Sequence, residues 1–204
     1  LRRAERVGGG DINQAARLQT GKGEFFVKYN SHPDAPDILA REAEGLSALR
    51  EPGVIRVPEV VGQGVAGDTA FLILPFLTTG APGPDFWQAF GRQLAELHRH
   101  THEQGYGFPH DNYIGSLPQV NNWIDDWPDF YAQRRLLPQW RMACDAGRFS
   151  EQDRRDFDRL LFRLPDLLEP TQPALIHGDL WNGNYLVSEE GQPVLIDPAT
   201  CYAS

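Results

Sequence analysis

Cysteine is scarce in this chain of 204 residues, and no hydrophobic run approaches the length needed to cross a bilayer. Two cysteines, Cys144 and Cys201, cannot form the disulfide framework of a small secreted domain. We therefore interpret both as free thiols in a reducing compartment. No signal peptide is visible, so the sequence indicates a cytoplasmic protein without a membrane partner.

Positive charge is also in short supply, with 19 Lys and Arg residues against 28 Asp and Glu residues and a net charge of −9. A surface of this sign repels phosphate backbones and anionic lipid headgroups, which argues against nucleic acid or a membrane as a partner. It is compatible with a cationic small substrate. The chain contains no internal repeat or low-complexity tract, and its composition leaves the oligomeric state open.

A Walker A motif is missing, because no Gly-Lys-Ser or Gly-Lys-Thr follows the glycine run and no helix opens there. The run, Gly8-Gly9-Gly10, instead lies between a short extended stretch and a second strand pattern over residues 12–20. In a strand–glycine turn–strand unit, backbone amides approach ATP phosphates without side-chain clash. We predict that these glycines bind phosphate, although an ordinary hairpin turn has the same pattern.

What the chain does contain is a set of polar residues with kinase-like spacing. Asp179 is followed five positions later by Asn184, and thirteen positions after that by Asp197. Kinases place a catalytic base and a Mg²⁺-binding Asn on one loop, and a Mg²⁺-binding Asp after a hairpin. The segment between Asn184 and Asp197 is typical of such a hairpin. We predict Asp179 as the base and the other two as Mg²⁺ ligands, although Asp, Asn and Gly are also ordinary turn residues.

Upstream, Lys28 lies near the end of an apolar strand over residues 24–29. In kinases such a Lys contacts the α- and β-phosphates and pairs with a Glu on the next helix. A helical pattern over residues 36–50 follows, and Glu42 lies on or beside its apolar stripe. Glu44 is about 200° away on the helix at 100° per residue, so only one of the two can face the cleft. We predict that Glu42 orients Lys28, because a partly buried carboxylate needs a partner.

Residues 59–65 and 69–75 are predicted strands around a turn, and a linker follows them. A kinase hinge would occupy this linker and offer backbone amide and carbonyl groups to adenine. We predict that the backbone around Phe76 and Leu77 binds the base.

The order of elements predicts an α+β chain that is bilobal, with a cleft between the lobes, and this order resembles the protein-kinase-like fold. Residues 1–77 are predicted as an N-lobe with an antiparallel sheet, one helix and the ATP site. Residues 78–204 are predicted as a mostly helical C-lobe that carries the catalytic loop and substrate-binding helices. Predicted helices in this lobe cover residues 85–103, 128–145 and 150–168, the last opening with a capping box.

Both ends of the chain are abrupt. It opens with Leu1 and no initiator Met, and it stops seven residues after Asp197, where a kinase C-lobe usually continues into more helices. We therefore expect lost residues at the start and a C-lobe that is truncated.

The loop over residues 177–184, His-Gly-Asp-Leu-Trp-Asn-Gly-Asn, is followed by Ile-Asp-Pro-Ala over residues 196–199. This combination resembles the fructosamine-3-kinase family, within the larger group of aminoglycoside and choline kinases. A protein kinase would carry Arg in place of Gly178 and Lys in place of Trp181. Further segments similar to the family cover residues 8–13, 26–28, 113–119 and 122–128, so the resemblance extends over nearly the whole chain.

The resemblance implies ATP-dependent phosphorylation of a sugar hydroxyl on a ketoamine, the adduct of a sugar with a lysine or another amine. Phosphorylation at the 3-hydroxyl makes the adduct labile, so the implied role is deglycation repair. The partner would be a small-molecule or protein-bound ketoamine, with ATP and Mg²⁺ as cofactors. Some relatives carry Cys in the glycine-rich loop, where this chain has Asp11, so we predict no thiol switch there.

Three residues are candidates for contact with the ketoamine. Trp181 is predicted to stack on the sugar ring, with packing of its own loop as the alternative. Asp125 and Asp126 would receive the cationic amine, but acidic residues are also common at a helix N-terminus. We favour the helix N-terminus for these two.

Two other functions remain open at this point. The chain is compatible with another small-molecule kinase, of the aminoglycoside or choline type, although Trp181 disfavours it. It is also compatible with a nucleotide-binding pseudokinase. The sequence does not identify which sugar or which amine is the substrate.

Overall fold

The computed structural model describes residues 1–8, 13–169 and 171–204. Its largest sheet has five antiparallel strands in the order β1-β2-β3-β5-β4. These strands are β1 (Arg3–Val7), β2 (Gln14–Thr20), β3 (Gly23–Asn30), β4 (Gly62–Ala66) and β5 (Thr69–Pro75). Gly9, Gly10 and Asp11 lie outside the described residues, so the phosphate-binding glycines and the absence of a thiol switch stay predictions.

The register of the sheet determines which side chains share the face of Lys28. On β3, Lys28 is paired with Ala15 of β2 and with Leu72 of β5. Directly paired residues of antiparallel strands point to the same face, and residues two apart on one strand do so as well. Phe26 therefore lies on the same face as Lys28.

The first helix, α1 (Ala35–Arg50), packs against this sheet. Pro36 is in its first turn, where a missing amide hydrogen removes no intrahelical bond. Leu39, Leu46 and Leu49 are at most 1% exposed. Each contributes about 1.5–3 kcal/mol through burial of its side chain. The helix carrying Glu42 is therefore fixed to the core beneath Lys28.

Strand β5 has the bounds that the sequence predicts, but β4 begins later than residue 59. The preceding chain pairs elsewhere: Arg56 forms a parallel bridge with Val194, and the amide of Leu195 donates to the carbonyl of Arg56 at 3.0 Å. Pro58 has no amide hydrogen to offer to a strand ladder. The prediction of a strand from residue 59 was wrong at its start for these reasons.

The helix predicted over residues 85–103 is shorter in the structure, where α2 covers Phe86–Leu97. Beyond it the chain pairs with a strand: the amide of Leu175 donates to the carbonyl of His100, and Thr101 forms a bridge with Ala174. Tertiary pairing thus ends the helix where the local pattern would allow it to continue.

Residues 128–145 were predicted as one regular helix, and this was wrong in its middle. The structure has α3 (Trp127–Phe130), then a π-helical segment (Tyr131–Leu136), then α4 (Leu137–Asp145). Pro138 has no amide hydrogen to donate four residues back, which explains the wider turn before it. The next helix, α5 (Glu151–Leu167), opens with the predicted capping box between Ser150 and Asp153.

Over the described residues, three two-stranded sheets complete the fold. They pair β6 (Asn112–Ile114) with β7 (Leu117–Gln119), β8 (Ala174–Ile176) with β11 (Cys201–Ala203), and β9 (Tyr185–Val187) with β10 (Pro193–Leu195). The predicted catalytic hairpin is β9–β10. The fold is α+β, as predicted, with an antiparallel N-terminal sheet; a lobe boundary at residue 77 stays a prediction. Among the described residues, no helix combines the length and apolarity that crossing a membrane requires.

Candidate active site

The loop that carries Asp179 connects β8 to β9 and is held from inside by His177, which is only 2% exposed. The Nε2 atom of His177 lies 2.8 Å from the carbonyl oxygen of Ile196, and its Nδ1 accepts from the amide of Asp179 at 3.3 Å. A carbonyl can only accept, so Nε2 carries the proton. Burial lowers the pKa of His177, which favours this neutral form. The imidazole therefore orients the loop.

Gly178 brings the loop against the segment that follows Asp197. Its φ is +80°, and a Cβ added there would lie 1.9 Å from the carbonyl oxygen of Ala199. The amide of Ala199 in turn donates to the carbonyl of His177 at 2.9 Å. Only glycine fits a position with both this backbone conformation and this close approach.

Asn184 joins Asp179 to Asp197. Its Nδ2 donates to the Asp179 carbonyl at 2.8 Å, to Asp179 Oδ2 at 3.0 Å and to the Asp197 carbonyl at 3.3 Å. The three residues that the spacing singles out thus meet at one point. Their roles as base and metal ligands stay predictions.

Lys28 reaches across to both acidic partners. Its Nζ lies 2.8 Å from Glu42 Oε1 and 2.5 Å from Asp197 Oδ1. The Lys28 and Glu42 side chains are 11% and 10% exposed, while that of Asp197 is 36% exposed. Asp197 also has a positive φ of 55°, which is rare for a non-glycine residue. One ammonium therefore connects the sheet, α1 and the segment after β10.

Burial and charge compete in this group. Burial lowers the pKa of Lys28, but the carboxylates of Glu42 and Asp197 together raise it by more, so its net pKa is above the usual value. Burial raises the pKa of Glu42, and Lys28 opposes this rise while Asp197 adds to it. Lys28 is therefore charged at neutral pH, and its positive charge offsets the repulsion between the carboxylates of Glu42 and Asp197.

Glu44 makes a different set of contacts, as the helical phase predicts. Arg41 Nη1 donates to both of its carboxylate oxygens at 2.8 Å, and His110 Nδ1 lies 3.2 Å from Glu44 Oε2. The prediction that Glu42 rather than Glu44 pairs with Lys28 is confirmed.

A cavity of about 440 Å³ opens at this point. The predicted residues that line it are Lys28, Glu42, Asp179, Trp181, Asn184 and Asp197. Trp181 is 59% exposed, and one face of its indole packs against Gly183 of the same loop, where an added Cβ would lie 2.4 Å from Cζ2. The lining residues that the sequence did not single out include Asn13, Ile38, Arg41, Asn112 and Tyr113.

Tyr113 joins the β6–β7 hairpin to α1. Its hydroxyl donates to Asp37 Oδ2 at 2.8 Å, and Asp37 also accepts from Arg41 Nε at 3.1 Å. The hydrogen bond to Asp37 raises the pKa of Tyr113 to about 12. It also lowers the pKa of Asp37. No local pattern identifies this pair, because its members are 76 residues apart.

Replacing Tyr113 with Phe is expected to lower the free energy of unfolding at pH 7 by about 0.5–1 kcal/mol, since Asp37 is largely solvent-exposed. A raised tyrosine pKa stabilises the fold below the unfolded pKa of about 10 and loses this effect as pH rises toward the folded value. A lowered Asp pKa stabilises above about pH 3.9 and loses its effect as pH falls through the folded value.

Urea denaturation measures the stability difference, and phenolate absorbance between pH 9 and about 12 follows the titration. The control is Tyr29→Phe, because the Tyr29 hydroxyl has no hydrogen-bond partner among the described residues. Equal losses in the two variants, or loss of a phenolate that titrates near pH 10 in Tyr113→Phe, would contradict the assignment.

The hinge residues lie outside this cavity. The amide of Phe76 donates to the carbonyl of Glu24 at 3.1 Å, so it is already engaged. The Arg17 guanidinium lies 4.3 Å above the centre of the Phe76 ring. The Phe76 carbonyl and the Leu77 backbone remain the predicted contacts for the base. Gly8, the described member of the glycine run, is exposed with open space around its Cα.

Asp125 and Asp126 also lie outside the cavity. Asp126 is the N-cap of α3, where its Oδ1 accepts from the amide of Asp129 at 3.0 Å. Asp125 is exposed. The helix N-terminus that the sequence favoured for these residues is confirmed for Asp126, and contact of either residue with an amine stays a prediction.

A sequence model of one family, described as fructosamine kinase, matches residues 1–204. The chain is 38% identical over 199 residues to a protein of Synechocystis named "Probable ketoamine kinase", covering 96% of this chain and 65% of that protein. It is 41% identical over 202 residues to a chloroplastic protein-ribulosamine 3-kinase of Oryza sativa subsp. indica, covering 96% and 57%. The chain thus spans less than two thirds of the length of these relatives.

Solved structures share the fold. A protein of Thermobifida fusca described as a fructosamine-3-kinase has a TM-score of 0.87 at 34% identity, over 98% of this chain and 69% of its own. A counterpart from Haemophilus somnus has a TM-score of 0.88 at 23% identity, over 100% and 68%. An aminoglycoside phosphotransferase in complex with AMP-PNP and hygromycin B has a TM-score of 0.67 at 14% identity, over 100% and 68%, which indicates a common fold alone.

Proposed function

Because this chain belongs to the fructosamine kinase family, we propose that it acts as an ATP-dependent kinase that phosphorylates a sugar hydroxyl of a ketoamine. The observation that carries the proposal is the contact of Lys28 with both Glu42 and Asp197 at the wall of the cavity that contains Asp179. The names of the relatives, ketoamine kinase and protein-ribulosamine 3-kinase, support the substrate class. The sugar 3-hydroxyl is the proposed acceptor, and deglycation repair is the proposed role.

Asp179 is the proposed general base. Its Oδ2 accepts from Asn184 Nδ2 at 3.0 Å, which fixes the rotation of the carboxylate. Oδ1 is then the oxygen that would accept the proton of the attacking hydroxyl as the phosphoryl group is transferred. His177 keeps the Asp179 backbone in place from beneath the loop.

The donor set around Asn184 and Asp197 fits Mg²⁺. Among the described residues there is no group of three or more His, Cys, Asp or Glu that could hold a metal ion by itself. Mg²⁺ usually takes only one or two protein carboxylates and completes its shell with water and substrate phosphates. Asn184 Nδ2 is engaged by the loop, so Oδ1 of Asn184 and the Asp197 carboxylate are the proposed ligands. Bound there, Mg²⁺ would neutralise charge on the transferred phosphoryl group.

Lys28 would hold the α- and β-phosphates of ATP, with Glu42 fixing its direction. The backbone of residues 8–10 and of Phe76 and Leu77 would contact the phosphates and the base. In this division, residues 1–77 form the ATP-binding lobe and residues 78–204 provide the catalytic loop and the acceptor site.

The acceptor would lie against Trp181. An exposed indole at the rim of a polar cavity suits the apolar face of a sugar ring, while nearby hydroxyl and carboxylate groups bind its polar edge. The ketoamine nitrogen adds a positive charge that a chain of net charge −9 attracts.

Turnover is expected with ribulosamine or fructosamine, with kcat/KM about 10²-fold or more above that for an aminoglycoside or choline. The measurement is ATP consumption by the purified protein with each of the four acceptors, with product phosphorylation followed by mass spectrometry. Turnover on the aminoglycoside or choline alone would place the chain in another branch of small-molecule kinases. Binding of Mg·ATP without turnover on any acceptor would indicate a nucleotide-binding pseudokinase.

A further inference from the structure

Lys28 contacts two carboxylates that come from separate parts of the chain. Glu42 lies on α1, and Asp197 lies between β10 and β11. Both contacts hold only if α1 and the segment over residues 197–200 stay at a fixed separation. Some contact between these two elements must therefore set that distance.

These two elements contact each other at Gly45 and Thr200, each three residues after one of the two carboxylates. A Cβ added to Gly45 would lie 2.9 Å from Thr200 Oγ1 and 3.2 Å from Pro198 Cγ. The Thr200 hydroxyl donates to the Gly45 carbonyl at 3.3 Å. Gly45 is thus in direct contact with the segment that carries Asp197.

Backbone conformation does not explain a glycine at this position. Gly45 lies in the interior of α1 and is not among the described glycines with positive φ. Alanine favours a helix interior over glycine. The lack of a side chain here therefore serves the close approach to Thr200 rather than the helix itself.

Thr200 is fixed from its other side by a buried chain of amides. It is fully buried, and its carbonyl accepts from Asn112 Nδ2 at 2.8 Å. Asn112 Oδ1 accepts from Asn121 Nδ2 at 2.9 Å, and Asn121 Oδ1 accepts from Arg135 Nη2 at 2.7 Å. Asn121 is also fully buried. Moving Thr200 would break hydrogen bonds that have no water to replace them, so α1 must adjust to Thr200.

We propose that Gly45 and Thr200 are positioning residues, whose contact sets the distance between Glu42 and Asp197 and so holds Lys28 between them. This rests on the proposed function, in which Lys28 and Asp197 bind Mg·ATP. A side chain at position 45 pushes α1 away from the segment, and the ammonium then loses one carboxylate or the other. This movement weakens binding of the nucleotide and leaves the acceptor side at Trp181 unchanged.

The test compares Gly45→Ala with Gly91→Ala. Gly91 lies in the interior of α2, and a Cβ added there meets nothing within 4 Å. Both changes gain the helix propensity of alanine, so Gly91→Ala is expected to raise the unfolding midpoint by about 2–4 °C with unchanged kinetics. Gly45→Ala is expected to lose about 10- to 100-fold in kcat/KM for ATP, with KM for ATP raised and KM for the ketoamine unchanged.

A compensating change separates positioning from general damage. Thr200→Ala removes Oγ1, the atom nearest the added Cβ, but keeps the carbonyl that Asn112 holds. The double variant Gly45→Ala with Thr200→Ala is expected to recover about 5-fold or more of the kcat/KM lost in Gly45→Ala, a negative coupling of neighbouring sites. A purely structural defect would lower kcat alone through a smaller folded fraction and would not be repaired by a second truncation.

The inference is overturned if Gly45→Ala behaves like Gly91→Ala, or if the losses in the double variant are additive. Mg·ATP affinity from calorimetry provides a readout that needs no turnover. If the protein phosphorylates no acceptor, the proposed function fails, and a 10-fold weaker Mg·ATP affinity in Gly45→Ala but not in Gly91→Ala still supports the positioning contact. Equal affinities in the two variants count against it.

Discussion

Asp179→Asn should lower kcat by about 10²–10⁴-fold, the usual contribution of a general base, while the affinity for Mg·ATP changes little. Asparagine has the same shape as aspartate but cannot accept the proton of the sugar hydroxyl. The carbonyl of Asp179 still accepts from Asn184 Nδ2, so the loop is expected to keep its conformation. Initial rates with a ketoamine measure the first effect, and calorimetry with Mg·ATP measures the second.

Asp68→Asn provides the matched control. It makes the same change of carboxylate to amide at an exposed residue of the turn between β4 and β5, where asparagine is well tolerated. Its kcat should equal that of the unmodified protein. Residual turnover above about a tenth in Asp179→Asn would exclude Asp179 as the base, since the usual contribution is at least 10²-fold.

The second large effect is expected on stability. Lys28→Met removes the ammonium but leaves Glu42 buried, with Asp197 beside it. Removing one partner of a buried ion pair costs about 3–5 kcal/mol, because the other charge is left uncompensated. We expect the lower half of this range, since Asp197 is partly exposed and can turn toward water. Urea denaturation measures the loss, and KM for ATP should rise in parallel.

The stability loss should also depend on pH. A carboxyl group whose pKa is raised in the folded protein stabilises the fold below its unfolded pKa, which is about 4.3 for Glu. This stabilisation is lost as pH rises through the folded pKa. Without Lys28, the pKa of Glu42 rises further, because the group that opposed the effect of burial is gone. The loss caused by Lys28→Met should therefore be smaller at about pH 5 than at about pH 8.

Arg56→Met is the control for this variant. Arg56 Nη1 lies 3.0 Å from Glu190 Oε2, but these side chains are 49% and 67% exposed. Exposed pairs of this kind contribute little to stability, with no strong pH dependence near neutrality. If the two variants lost the same free energy, Lys28 would be an ordinary surface cation rather than the centre of a buried triad.

Local sequence signals were sufficient where a residue's role depends on its own element. The apolar stripe of α1 placed Glu42 toward the sheet and Glu44 away from it, and the structure has both contacts. The strand predicted over residues 69–75 and the hairpin predicted between Asn184 and Asp197 are also present, as β5 and β9–β10. In each case the period of the pattern and the turn residues agree with the tertiary environment.

Local sequence signals failed where contacts with another part of the chain determine the local structure. Pairing of residues 100–101 with β8 ends α2 early. Pro138 explains the π-helical segment that precedes it, and hydrophobic periodicity does not reveal this segment. Tyr113 and Asn112 line the cavity because the β6–β7 hairpin contacts α1, and a sequence without its tertiary contacts carries no trace of that. The residues that line the cavity outside the catalytic set were therefore identified only from the structure.

Gly67 and Gly178 both lie in turns with positive φ, but they differ in whether the surrounding structure leaves space for a side chain. Gly67 has a φ of +61°, and a Cβ added there would meet nothing within 4 Å, so Asn or Asp is an accessible replacement at modest cost. Gly178 has the same handedness, but the Ala199 carbonyl occupies the place of any Cβ. A single substitution at Gly178 is therefore expected to displace the segment after Asp197, because a Cβ there would overlap the Ala199 carbonyl. A side chain at position 178 would thus require the loop and the segment after Asp197 to change together.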